Sequence, residues 1–212
     1  IRAHSLGDKF EKELVLATNN RHKVEELTHL LAGEGREIRT LAESGFSGEI
    51  VEDGATFEEN SYIKARTVSE RLGCIAVADD SGLEVDCLGG APGVHSARYA
   101  GEHASDAENL DKLLDAVCGK TDRRARFVSV ITAVFPDGRR ITARGECEGK
   151  ILDERRGSGS FGYDPVFYYE PLGKTFAEMF GGGKASLELE DRSQPLTCGI
   201  EIRVQPPGKQ LK

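Results

Sequence analysis

The sequence predicts an α/β fold in which helices cover a mixed β-sheet, and three observations carry that expectation. Short apolar runs alternate with stretches of helical periodicity, two strand-like runs meet at the hairpin signal Pro136-Asp137-Gly138, and no internal repeat, low-complexity tract or linker breaks the chain. One domain spanning residues 1–212 is therefore expected.

Residues 14–18 (LVLAT) read as a short buried strand that runs through Asn19-Asn20 into a helix with Val24, Leu27 and Leu31 on one face. Gly33 and Gly35 end that helix, and residues 37–41 suit a second strand. Thr56-x-x-Glu59 is a capping box, after which Phe57, Ala65, Val68 and Leu72 stripe a helix that stops near Gly73. Residues 74–78 form an apolar strand expected to end in Asp79-Asp80-Ser81-Gly82, and residues 89–93 (GGAPG) suit a loop. Ser105-x-x-Glu108 caps a further helix that buries Leu110, Leu113, Leu114 and Val117, and residues 125–135 and 139–149 are the hairpin strands. No element is assigned from Gly181 onward.

Lys and Arg number 28 against 36 Asp and Glu, and the resulting charge of −8 repels a nucleic-acid backbone at long range. A small polyanion that carries its own divalent cation is compatible with such a surface, because hard cations take oxygen ligands. No apolar run approaches the roughly 20 residues that span a bilayer, and residues 1–13 lack the apolar stretch of a signal peptide, so a cytoplasmic protein is expected. Five scattered cysteines without a C-x-x-C pair indicate neither a disulfide framework nor a thiolate zinc site, and they read as small core residues.

Four segments carry candidate chemistry. The turn Thr18-Asn19-Asn20-Arg21-His22-Lys23 offers backbone N–H groups at a helix start, two carboxamides and a lysine, which suits either a phosphate cradle or an ordinary Asn cap. Asp79 and Asp80 point to opposite sides if strand geometry persists, so one acid can bind metal while the other handles water; a polar turn is the plainer alternative. Asn60 and Lys64 share a helix face downstream of Glu52-Asp53-Gly54, where Lys64 is either a site residue or a solvated helix lysine. Residues 157–162 match G-x-G-x-x-G but lead into Tyr163-Asp164-Pro165 rather than a helix, which rejects a dinucleotide fingerprint. They read instead as a loop whose Phe161 either stacks on a purine or enters the core.

The segments LVLATNNRHKVEEL, EDGATFEENSYIKA, ADDSGLEVDCLGGAPGVHSARYAG and FGYDPVF, in this order, resemble the inosine triphosphate pyrophosphatase family, the XTP/dITP diphosphatases, over about residues 14–179. The resemblance implies an elongated mixed sheet in two lobes with a central cleft, and Mg2+-dependent hydrolysis of ITP, dITP and XTP to monophosphate and pyrophosphate, usually by a homodimer. It implies phosphate contacts at Thr18, Asn19, Asn20 and Lys23, metal binding by Glu52 and Asp80, and a general-base role for Asp80; the mechanism read beside it puts Asp79 close to the metal and gives Lys64 a catalytic role in holding the triphosphate. It implies a substrate contact at Ser81, nucleoside binding by Phe161, Gly162, Tyr163 and Asp164, and further substrate contacts at Lys184 and Arg192. The tail 181–212 departs from the family pattern: Arg192 is matched, but Asp191 stands where the family has histidine. Two alternatives accompany this reading, a Maf-type nucleotide pyrophosphatase with another base preference and a catalytically weak nucleotide-binding protein.

Overall fold

The computed structural model describes residues 13–31, 37–158, 162–180 and 199–205. The strands are β1 (Glu13–Leu16), β2 (Glu37–Thr40), β3 (Ile75–Val85), β4 (Arg124–Val134), β5 (Arg140–Ile151), β6 (Phe167–Tyr169), β7 (Lys174–Thr175) and β8 (Gly199–Gln205). The helices are α1 (Arg21–Leu31), α2 (Phe57–Leu72), α3 (Asp106–Val117) and α4 (Phe176–Phe180). The strands form one sheet in the order β2-β1-β3-β4-β5-β6-β7, with β8 pairing β5. β1 runs parallel to β2 and β3, whereas β5 and β6 are antiparallel, as are β6 and β7, so the sheet is mixed as expected. The 136–138 turn closes as a hairpin, with Phe135 N–H donating to Arg139 O at 2.9 Å.

The described residues divide into two compact units, one within 1–80, 130–144 and 201–212, the other within 81–129 and 145–200. In the first unit the strand period of two sorts side chains onto two faces. Leu14 and Leu16 of β1 and Ile75 and Val77 of β3 pack with Val24, Leu27 and Leu31 of α1. Val15, Ala17, Ala76 and Ala78 pack with Ala65 and Val68 of α2. Strands covered on both faces read as unbroken apolar runs, and each fully buried Leu or Val adds about 1.5–3 kcal/mol. α1 is preceded by Asn20, whose Oδ1 accepts from Lys23 N–H at 3.4 Å. α2 is capped by Thr56 and ends at Gly73, which takes the left-handed conformation at φ 65° and donates to Ser69 O.

In the second unit Leu83 and Val85 pack with Leu110, Leu113 and Val117 of α3, which begins with the expected Ser105–Glu108 capping box. Phe127, Phe167 and Phe176 form an aromatic group with ring centroids 4.6–5.4 Å apart. At Gly82 a Cβ would collide with Ser96 Oγ and lie 2.7 Å from Gly93 O, so only glycine fits there. Ser96 Oγ also accepts from Leu83 N–H at 2.9 Å and donates to Gly93 O at 2.6 Å.

Three expectations are corrected. β3 does not stop at Ala78 but continues to Val85, so Asp79 and Asp80 sit in the middle of a strand rather than in a turn after it. Cys118 is exposed, because it follows the last buried position of α3, whereas Cys74 and Cys147 are buried. Beyond Gly181 the chain contributes β8, and the alternation of Ile200, Ile202 and Val204 is the signal that could have revealed it.

Candidate active site

The two-face alternation in the first unit decides where the paired acids go. Asp79 continues the phase of Ile75 and Val77, toward α1, and its Oδ2 lies 3.2 Å from Lys23 Nζ. Asp80 continues the phase of Ala76 and Ala78, toward α2, and its Oδ1 accepts from Lys64 Nζ at 3.3 Å. Successive carboxylates are thus held by lysines from different helices.

Lys64 Nζ also lies 2.9 Å from Glu52 Oε2, so one ammonium joins the two acids. Glu52 is set in place by the start of α2: Gly54 N–H donates to Asn60 Oδ1 at 2.8 Å and Ala55 N–H donates to Glu59 Oε2 at 2.7 Å. Gly54 is required by space, since a Cβ there would lie 2.7 Å from both Asn60 Oδ1 and Glu59 Cβ. The Thr56–Glu59 box is therefore half as read: Thr56 Oγ1 accepts from Glu59 N–H, but the Glu59 carboxylate reaches Ala55.

Burial pushes the Asp80 carboxyl above the usual range, with Lys64 and the Asn60 carboxamide pulling the other way. Burial would lower the Lys64 ammonium, but Asp80 and Glu52 outweigh it and hold Lys64 above its ordinary value. Asp80 Oδ2 is buried and has no hydrogen-bond partner among the described residues. Such an acceptor calls for a partner, and two carboxylates converging on one positive charge fit a hard divalent cation. Asp79 belongs with Lys23, and among the described residues no group of three His, Cys, Asp or Glu side chains is placed to hold a metal ion.

The remaining candidates fall as follows. Thr18 is half-buried and its Oγ1 accepts from Asn20 N–H at 3.1 Å, while Asn19 and Asn20 are exposed at the start of α1; Asn20 is thus a helix cap as well as a candidate contact. In the second unit Ser81 is half-buried on β3, and Gly162 donates its N–H to Asp106 Oδ2 at 3.1 Å. The Tyr163 ring is 5% exposed and its hydroxyl donates to Ser96 O at 2.8 Å, so Tyr163 is a core residue. Asp164 is half-buried and its carbonyl accepts from Ala177 N–H. Phe161, Lys184, Asp191 and Arg192 lie outside the described residues. Asp106 was missed as an anchor of the 162–164 segment, because an acid in a first helical turn is ordinary and gives no signal of its own.

Mixed-sheet α/β architecture with acid–lysine pairs set on a buried strand beside two helices defines the class, an α/β protein that carries paired charges on a buried strand. The model of the Ham1 family matches residues 14–192, past residue 179, where the resemblance read from the motifs ends. The chain belongs to the Ham1 family. It is 54% identical over 206 residues to a Desulfotalea psychrophila protein named dITP/XTP pyrophosphatase, covering 92% of each chain. It is 52% identical over 180 residues to a Syntrophobacter fumaroxidans protein of the same name, covering 85% of this chain and 78% of the relative. Among solved structures, the Staphylococcus aureus Ham1 protein matches with a TM-score of 0.74 and 41% identity, over 79% of this chain and 86% of that one. A nucleoside-triphosphatase, dITP/XTP pyrophosphatase, from Mycobacterium abscessus matches with a TM-score of 0.73 and 35% identity, over 85% and 92%. Among the described residues no helix is long and apolar enough to cross a membrane.

Proposed function

We propose that the chain is a nucleoside triphosphate pyrophosphatase that hydrolyses dITP, ITP and XTP to the monophosphate and pyrophosphate, removing deaminated purines from the nucleotide pool. Family membership supports the reaction, and the observation that carries the site is the separate pairing of Asp79 with Lys23 and of Asp80 with Lys64 and Glu52.

Glu52 and Asp80 are the residues that would hold Mg2+, which supplies charge neutralisation on the phosphates and on departing pyrophosphate. Lys23 and Lys64 bind phosphate oxygens, together with Thr18, Asn19 and Asn20 in the turn before α1. Asp79 orients Lys23. Asp80 orients the attacking water and accepts its proton, a task that suits a carboxyl whose pKa burial has raised. Water attacks the α-phosphorus, the bond to the bridging oxygen breaks, and pyrophosphate leaves without a covalent intermediate. Ser81, Phe161, Gly162, Asp164, Lys184 and Arg192 are assigned to the rest of the nucleotide, and Tyr163 supports the 162–164 segment from the core. Lys and Arg only donate, which suits the C6 carbonyl of hypoxanthine or xanthine and mismatches an amino group. A homodimer in the cytoplasm completes the proposal, as the family resemblance implies.

The test is pyrophosphate release from ITP, dITP, XTP, GTP and ATP, with and without Mg2+. Release favouring the first three and requiring the metal supports the proposal. Stepwise orthophosphate, a diphosphate product or equal use of ATP overturns it.

A further inference from the structure

The ammonium of Lys64 stands 2.9 Å from Glu52 and 3.3 Å from Asp80, on a side chain only 11% exposed. These are the same two acids that fit a divalent cation, so Lys64 and the cation compete for one set of oxygens. A positive charge within about 3 Å of both ligands opposes entry of another. Asp79 has its own lysine, Lys23 of α1, whose ammonium lies 3.2 Å away and is not shared with Glu52 or Asp80 among the described contacts.

Resting on the function proposed above, we infer that Lys64 is an exchangeable counter-ion that keeps bare divalent cation off Glu52 and Asp80 and yields them when a nucleotide brings phosphate for its ammonium. Cation and nucleotide then enter together. The ordering arises from a partner exchange: Lys64 passes from carboxylate to phosphate while the metal takes the carboxylates. α2 itself need not move, because a lysine stem has four rotatable carbons. Asp80 Oδ2, buried and without a hydrogen-bond partner among the described residues, would be open to the metal without loss of a hydrogen bond.

The experiment is a Mn2+ titration in the absence of nucleotide, followed by electron paramagnetic resonance of free Mn2+, on the wild type, Lys64→Met, Lys64→Gln, Lys23→Met and Asp80→Asn. Lys64→Met is expected to bind Mn2+ about tenfold more tightly than the wild type, with Lys23→Met within about twofold and Asp80→Asn weaker. Lys64→Gln decides the matter if the methionine variant does not fold. In the wild type a non-hydrolysable dITP analogue should tighten Mn2+ binding by about tenfold or more. No gain in the Lys64 variants, an equal gain in Lys23→Met, or no tightening by the analogue overturns the inference. Pyrophosphate release by the same wild-type preparation separates the two proposals: its absence removes the assigned reaction, while the metal affinities of the variants still judge Lys64.

Discussion

Gly54 donates its backbone N–H to Oδ1 of Asn60, 2.8 Å away and one turn into the helix that follows, and this bond holds the loop carrying Glu52 against that helix. Asn60 is 2% exposed, so removing its carboxamide strands a donor in a dry place. Asn60→Ala is expected to lower stability by about 1–3 kcal/mol in urea denaturation and to weaken metal-dependent activity. Gly54→Ala should act in the same direction through steric conflict. Wild-type stability in both variants would show that the loop is not anchored there.

Asp80→Asn removes a proton acceptor and leaves a poor metal ligand while preserving shape. Turnover should fall at least tenfold, which corresponds to about 1.4 kcal/mol in the barrier, with the circular dichroism spectrum unchanged. A variant with near wild-type turnover would take Asp80 out of the chemistry.

Asp79 is 6% exposed and its charge is matched by Lys23. Lys23→Met should therefore destabilise by about 1–2 kcal/mol, less than for a fully buried pair because Lys23 retains contact with water. Adding Asp79→Asn should restore part of the loss. A double-mutant cycle with no coupling would mean that the pair contributes nothing to folding.

The guanidinium of Arg124, hydrogen-bonded to Asp122, holds that carboxyl down at about 2. Because the folded value lies below the ordinary 3.8, the associated stability is present above the ordinary value and is lost as pH falls from there through about 2. Carboxyl-carbon NMR should show the low midpoint, and Arg124→Ala should return it toward the ordinary range. The Asp122 carboxyl is partly open to solvent, so salt should weaken the effect. An unchanged midpoint in Arg124→Ala would assign the depression to another cause.

Much of the fold was legible because the first unit obeys simple periods. Val24, Leu27 and Leu31 at helical spacing, and apolar runs at 14–17 and 74–78, suffice to place α1 between β1 and β2 and α2 before β3. Legibility failed where charge sits inside a regular element. Asp79-Asp80-Ser81-Gly82 has turn composition, and only the lysines of α1 and α2, remote in sequence, let the strand run on through it. β8 was not legible because the stretch after Gly181 has a weak overall pattern, in which a single short alternation does not stand out. In the site, strand alternation foretold that the two acids diverge, but not which lysine each would meet. The Gly54 anchor on Asn60 was invisible because a buried Asn breaks no apolar stripe and announces no partner.

Gly82 presses so closely on Ser96 and Gly93 that β3 is pinned two residues after Asp80. The two acids upstream are told apart only by parity, odd positions facing Lys23 and even positions facing Lys64. What the segment from Ile75 to Gly82 must conserve is therefore its length. Conservative exchanges among its apolar residues change packing and little else, whereas deleting or inserting one residue swaps the partners of both acids at a stroke.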